Sequence, residues 1–336
     1  MLRFFRTGNF SVLALLAALQ LGLSVPAYFL IQAPTVLHSE YSLPGIVHRM
    51  IQWLPGTTAT IEFFLAQLLI FLSAIALNTA VNHHRLTKQL THLPALWFVL
   101  LAQLLAGSIS LCPELMAVFF LSLMLAGMFN QYKAHPDGGR VFDLALCAGL
   151  ATLSLPIAAS SVLFLIAGVA ILRPLRITDY LAVLFGFLLP FWIAGVVFFW
   201  FDDLTGFLSW FGKSFSVYNQ WENFLKIDSW ILPAIIGLSA VYVWRNISSR
   251  MTAANVQWRK FMLVAGLYFL LIMPAIVFST QQKSFLLIAV PVIALIFGYH
   301  YTESKKTWPG DLLFLFLILT HLFIQFGGGF SPWLSF

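Results

Sequence analysis

RPLRITDYLAVLFGFLLPFWIAGVVFFW, residues 173–200, reads as a basic edge followed by a helix that belongs in lipid. Arg173 and Arg176 come first, Asp179 ends the polar lead, and no further charge appears before Asp202. A helix needs about 20 predominantly apolar residues to cross a bilayer core. The run from Asp179 to Trp200 has that length, and Pro190 within it predicts a kink.

The rest of the chain repeats this pattern. Of its 336 residues 60% are hydrophobic and 9% charged, with 34 phenylalanines, whereas soluble domains carry about 25% charged residues. Eleven apolar windows can be read, at about 11–31, 60–81, 94–111, 115–130, 141–155, 157–172, 179–200, 231–244, 261–278, 284–300 and 311–325. Almost no length remains for a soluble domain, so residues 1–336 read as one all-α integral-membrane domain, a polytopic helical bundle of about 11 spans. The first window resembles a signal peptide. It is longer than an apolar core of about 7–15 residues and no small-x-small site follows, so it is expected to be the first helix, retained.

The basic residues orient the bundle. Cytoplasmic connections of membrane proteins carry an excess of Lys and Arg. With Arg3 and Arg6 inside, only Arg49, Lys213, Lys226 and Lys283 of the 18 Lys and Arg fall outside, and the other 14 fall inside. The expected topology has the N-terminus inside and the C-terminus outside. Two long external connections, with an amphipathic stretch at 45–54 and a mixed aromatic and charged stretch at 201–230, suit the membrane surface. The net charge of +6 is dispersed in ones and twos, which speaks for topology and against nucleic acid as a partner.

Seven of the 12 carboxylates fall on the external side: Glu40, Glu62, Glu114, Asp202, Asp203, Glu222 and Asp228. Glu40, in a loop with His38, Tyr41, His48 and Arg49, is the natural base if that loop holds chemistry. Glu62 and Glu114 stand in first helical turns, where a carboxylate meets the positive helix terminus. Glu114 is in a short turn, where depth would require a partner. On the inner side Arg140/Asp143 and Arg176/Asp179 share the i, i+3 spacing that stabilises helix ends. Arg173 and Arg176 are the candidates for holding a lipid phosphate, because guanidinium offers paired donors to it.

Other chemistries find no pattern. The eight histidines include no HxxxH or HxxH pair on one span, and Cys112 and Cys147 are expected at opposite ends, too far apart to bridge. No GxSxG, HExxH or GxxxxGK[ST] occurs. Neither a metal nor a cofactor is expected.

One resemblance rests on the order of features. Cys112-Pro113-Glu114-Leu115, the Val141-Phe142-Asp143 entry to a hairpin, the run from Leu172 to Tyr180 and Gly186-Phe187-Leu188-Leu189-Pro190 together make residues 94–203 similar to a family of polytopic inner-membrane proteins from Bacteroidota, an uncharacterised family defined as a domain of unknown function. Members often carry Trp-Arg-Glu where this chain has Ile177-Thr178-Asp179. The resemblance implies an envelope protein of the bacterial inner membrane and no established activity.

Three functions are then expected in order. The first is a scaffold or accessory subunit of a cell-envelope assembly, with membrane lipids and envelope proteins as partners. The second is a transferase acting on a polyprenyl-linked sugar or lipid at the external face, with Glu40 and Glu114 as catalytic residues. The third is a transporter, suggested by Pro190, Pro274 and Pro291 within spans.

Overall fold

A computed structural model describes residues 2–6, 10–30, 59–106, 111–133, 137–209, 231–248, 255–277, 282–304 and 308–326. Among the described residues the chain is all-helical. A short helix α1 (Leu2–Phe5) precedes α2 (Phe10–Leu30), α3 (Ala59–His83), α4 (Leu93–Ala106), α5 (Pro113–Phe129), α6 (Gly138–Ser154), α7 (Ser161–Leu172), α8 (Ile177–Trp200), α9 (Ile231–Ser248), α10 (Val256–Val277), α11 (Gln282–Glu303) and α12 (Trp308–Phe326). A 3₁₀ turn at Pro156–Ser160 joins α6 to α7.

Each apolar window overlaps one of these helices, but the ends differ: the window at 94–111 outruns α4, which ends at Ala106, and several other helices run past their windows. Arg259 and Lys260 lie in the first turns of α10, and Lys283 in α11, rather than in loops. Among the described residues three helical segments, fewer than the 11 spans expected, are long and apolar enough to cross a membrane: Thr60–His83, Ile177–Trp200 and Leu286–Glu303. Five more apolar segments are shorter, among them Ser11–Pro26, Leu93–Leu105 and Pro113–Phe129.

The bundle is centred on α4 and α11. The apolar window of α11 is 78% buried, against 28% for α8, so one is a central strut and the other a peripheral one. Trp97 of α4 packs edge to face on Phe297 of α11, centroids 5.4 Å apart, and lies beside Tyr301. The two backbones approach at Gly298, where an added Cβ would lie 2.7 Å from the Pro94 Cα.

Small residues seat α8 as well. Its buried positions Asp179, Val183, Gly186, Pro190, Ala194 and Phe198 recur at helical spacing and form one stripe. That stripe meets α6: a Cβ on Gly186 would come within 2.6 Å of the Phe142 carbonyl, and one on Gly149 within 2.6 Å of the Phe187 carbonyl. Close backbone approach through small residues is how helices associate where lipid removes the hydrophobic drive between them. The other faces of α8 remain apolar and exposed, with Ile177 at 80%, Trp192 at 69% and Trp200 at 82%. A soluble helix would turn polar residues outward there.

Candidate functional site

The described basic connections converge on one end of the bundle. Arg6 donates to the carbonyls of Tyr301 and Ser304 at the end of α11, and the Leu2 N–H donates to Asp311 of α12 at 3.0 Å. The Phe5 carbonyl accepts from the His92 N–H and the Thr91 hydroxyl at the start of α4. Lys88 pairs with Glu303 at 3.4 Å. His84, just beyond α3, hydrogen-bonds Asn130 beyond α5 at 2.9 Å and stacks edge-on against Phe261 of α10.

Next to these lies a buried ion pair. Arg173 donates from both terminal nitrogens to the two oxygens of Asp179, at 3.1 and 2.9 Å, and its Nε donates to Gln131 at 3.3 Å. The side chains are 3% and 1% exposed. Asp179 also accepts the Arg176 backbone N–H at 2.9 Å, which closes the start of α8. The partner of Asp179 is therefore the Arg173 guanidinium, and Arg176, expected in that role, contributes only its backbone while its side chain faces outward. The physical cause is Pro174, which keeps the chain extended between α7 and α8 and folds Arg173 back over the new helix. Arg140 likewise pairs with Asp137, 3.5 Å away and three residues earlier, instead of with Asp143. Asp137 is the N-cap of α6, accepting from Gly139, so it already stands where the guanidinium reaches.

Of the two expected catalytic carboxylates, Glu114 falls among the described residues. Glu40 lies outside the described residues, as do residues 45–54. Glu114 is buried at 6% in the first turn of α5 behind Pro113. Burial and then the charge of Glu114 push the neighbouring Cys112 thiol up. Glu62 is half-buried in the first turn of α3. Both cysteines are free, and among the described residues no three His, Cys, Asp or Glu side chains gather as metal ligands would.

A second polar group, unmarked in the sequence reading, crosses the interior. Gln20 of α2 donates to the Gln67 carbonyl and side-chain oxygen at 2.7 and 2.9 Å, and Gln103 of α4 donates to the same side-chain oxygen at 2.6 Å. All three are at most 4% exposed. Gln325 and His321 of α12 extend the belt to the Leu23 carbonyl of α2, one residue past Gly22, whose carbonyl loses its ladder donor to Pro26. The signal was available: one glutamine stands alone in each of three apolar windows. Gln67→Leu is expected to cost about 1–3 kcal/mol, because the Gln103 amide loses its acceptor while buried; an unchanged melting midpoint would remove the belt from the list of stabilising features.

His84 gives the basic end a pH response. Burial lowers its pKa from the ordinary 6.5, against the opposing Asn130 hydrogen bond, and the nearby His83 lowers it further. A histidine with a lowered pKa takes up its proton less readily in the folded state, so the unfolded chain is protonated first as pH falls. The stabilising contribution is full above about pH 6.5 and declines as pH falls toward the folded value. Thermal midpoints measured from about pH 7 to about pH 5 should drop less for His84→Gln than for the parent; parallel curves would show that His84 does not contribute.

No family model, curated protein or solved structure matches this chain.

Proposed function

We propose that this chain is an integral protein of the bacterial inner membrane, crossing it eleven times with the N-terminus inside, and that it serves as a scaffold or accessory subunit of a cell-envelope assembly. The observation that carries the membrane reading is the outward apolar surface of α8, and the same exposure recurs at Leu238 and Val241 on α9 and at Leu312, Leu315 and Leu319 on α12. Exposed patches of that extent in water would cause association. The gathering of Arg6, Lys88, Arg173 and Lys260 at one end supports the orientation. The resemblance to the Bacteroidota inner-membrane family points the same way.

The scaffold reading is supported by a filled interior. Among the described residues, the cavity lined by Leu121, Ser161, Phe164, Tyr268 and Ile288 offers about 10 Å³, room for no more than about one water and far below the roughly 300–1,000 Å³ usual for small-molecule sites. The transporter alternative draws on one observation, the glutamine belt at the interrupted turn of α2. The transferase alternative rests on Glu40 and Glu114. Extraction of membranes with alkaline carbonate, then with mild detergent, tests the proposal in two steps. The chain should resist the first, and should leave the second with the same partner proteins in repeated native purifications. Release by carbonate would end the membrane reading, and a chain that always purifies alone would end the scaffold.

A further inference from the structure

Two cations meet at the turn after α5, Lys133 within it and Lys260 from the start of α10, and the ion pair beside them does not neutralise them. Lys133 Nζ lies 5.6 Å and Lys260 Nζ 5.8 Å from the centroid of the Tyr132 ring. Lys260, half-buried, also donates to the Leu172 carbonyl at the end of α7, at 3.3 Å. Tyr132 is wedged against Phe261, centroids 5.5 Å apart, and follows Gln131, which is bound to Arg173. Three helix ends therefore fix one aromatic ring and tether two ammonium groups to it. Among the described residues neither lysine meets a carboxylate, since Asp179 is taken by Arg173 and Asp137 by Arg140.

The backbone adds a second observation. Lys133 adopts a φ of +53°, the left-handed region that glycine enters freely and other residues enter at a cost of about 1–2 kcal/mol. Helices commonly end on such a residue, usually glycine. A lysine here keeps a charge at a position where the fold alone would favour none.

We infer that Lys133 and Lys260, mounted on Tyr132, form a binding site for the phosphate of an anionic membrane lipid. Basic pockets between helix ends on the cytoplasmic side suit such headgroups. Lys260 is the fixed contact, and the exposed Lys133 closes over the phosphate. A lipid is favoured over free phosphate because the apolar outer face of α8 begins at the same level: Leu172, bound by Lys260, is five residues before Ile177, which with Tyr180 opens that face. The assignment moves the phosphate from Arg173, whose three nitrogens each already donate to Asp179 or Gln131, to the lysines beside it. It rests on the membrane reading above.

The test uses the purified full chain in neutral detergent micelles, titrated with phosphatidylglycerol, phosphatidylcholine and inorganic phosphate, with bound lipid counted by native mass spectrometry. Phosphatidylglycerol should bind in preference to phosphatidylcholine. Each Lys→Gln substitution should weaken it about fivefold and Lys133→Gln with Lys260→Gln roughly thirtyfold, whereas Lys133→Arg with Lys260→Arg should keep the affinity. Lys133→Gly separates binding from folding: it should melt no lower than the parent yet lose the same fivefold. Equal binding of the two lipids, or affinity unchanged in Lys133→Gly and in the double Gln variant, overturns the site. Competition by inorganic phosphate at the lipid's own concentration overturns the lipid as its occupant. Release of the chain by alkaline carbonate is a separate result, and it defeats the membrane reading rather than the lysine pair.

Discussion

Asp179→Ala should destabilise the protein by about 3–5 kcal/mol, the cost of leaving a buried charge without its partner. Arg173 is 3% exposed on its side chain and would keep only the Gln131 contact, while the Arg176 N–H would lose its acceptor at the start of α8. The decisive comparison is Arg173→Met with Asp179→Leu. Removing both charges together avoids the orphan and should return most of the loss, because replacing a buried pair by apolar residues is often neutral or better. Thermal unfolding in detergent, followed by tryptophan fluorescence, measures both variants. A single variant within about 1 kcal/mol of the parent would mean that water reaches the pair.

Gly298→Ala should cost about 3 kcal/mol, at the upper end for overpacking. The new methyl would meet the Pro94 backbone, 2.7 Å from Cα and 2.8 Å from N, and neither atom can rotate away. One of the two central helices must shift, and Trp97, Phe297 and Tyr301 shift with it. Gly22→Ala is the matched control, since nothing lies within 4 Å of its added Cβ. There the better helix former should gain about 0.5–1 kcal/mol. Equal effects at the two positions would show that helix propensity, rather than the α4 to α11 contact, governs Gly298.

Much of the fold was legible because apolar run length is a local property. Every window holds helix among its described residues, and the breakers Pro113 and Pro156 stand at helix starts. Helix ends were less legible, because Arg259, Lys260 and Lys283 continue the backbone ladder beyond the apolar stretch. Side-chain partners were the least legible. Spacing along one helix offered Arg176 to Asp179, while the chain's reversal at Pro174 brought Arg173 instead. The glutamines were visible singly, but their meeting depends on how α2, α3 and α4 pack. Of the residues expected to carry function, Arg173 became part of the framework, Glu114 a buried first-turn carboxylate, and Lys133 and Lys260, read only as topology signals, took the candidate role.

The docking of α1 has a consequence in time. Arg6 reaches Ser304, 298 residues further along, and Leu2 reaches Asp311. At about 5–20 residues per second of synthesis, the opening segment waits roughly 15–60 s for its partners to be made. A contact between segments made that far apart in time thus settles late, and α1 cannot seat before the end of α11 has been synthesised.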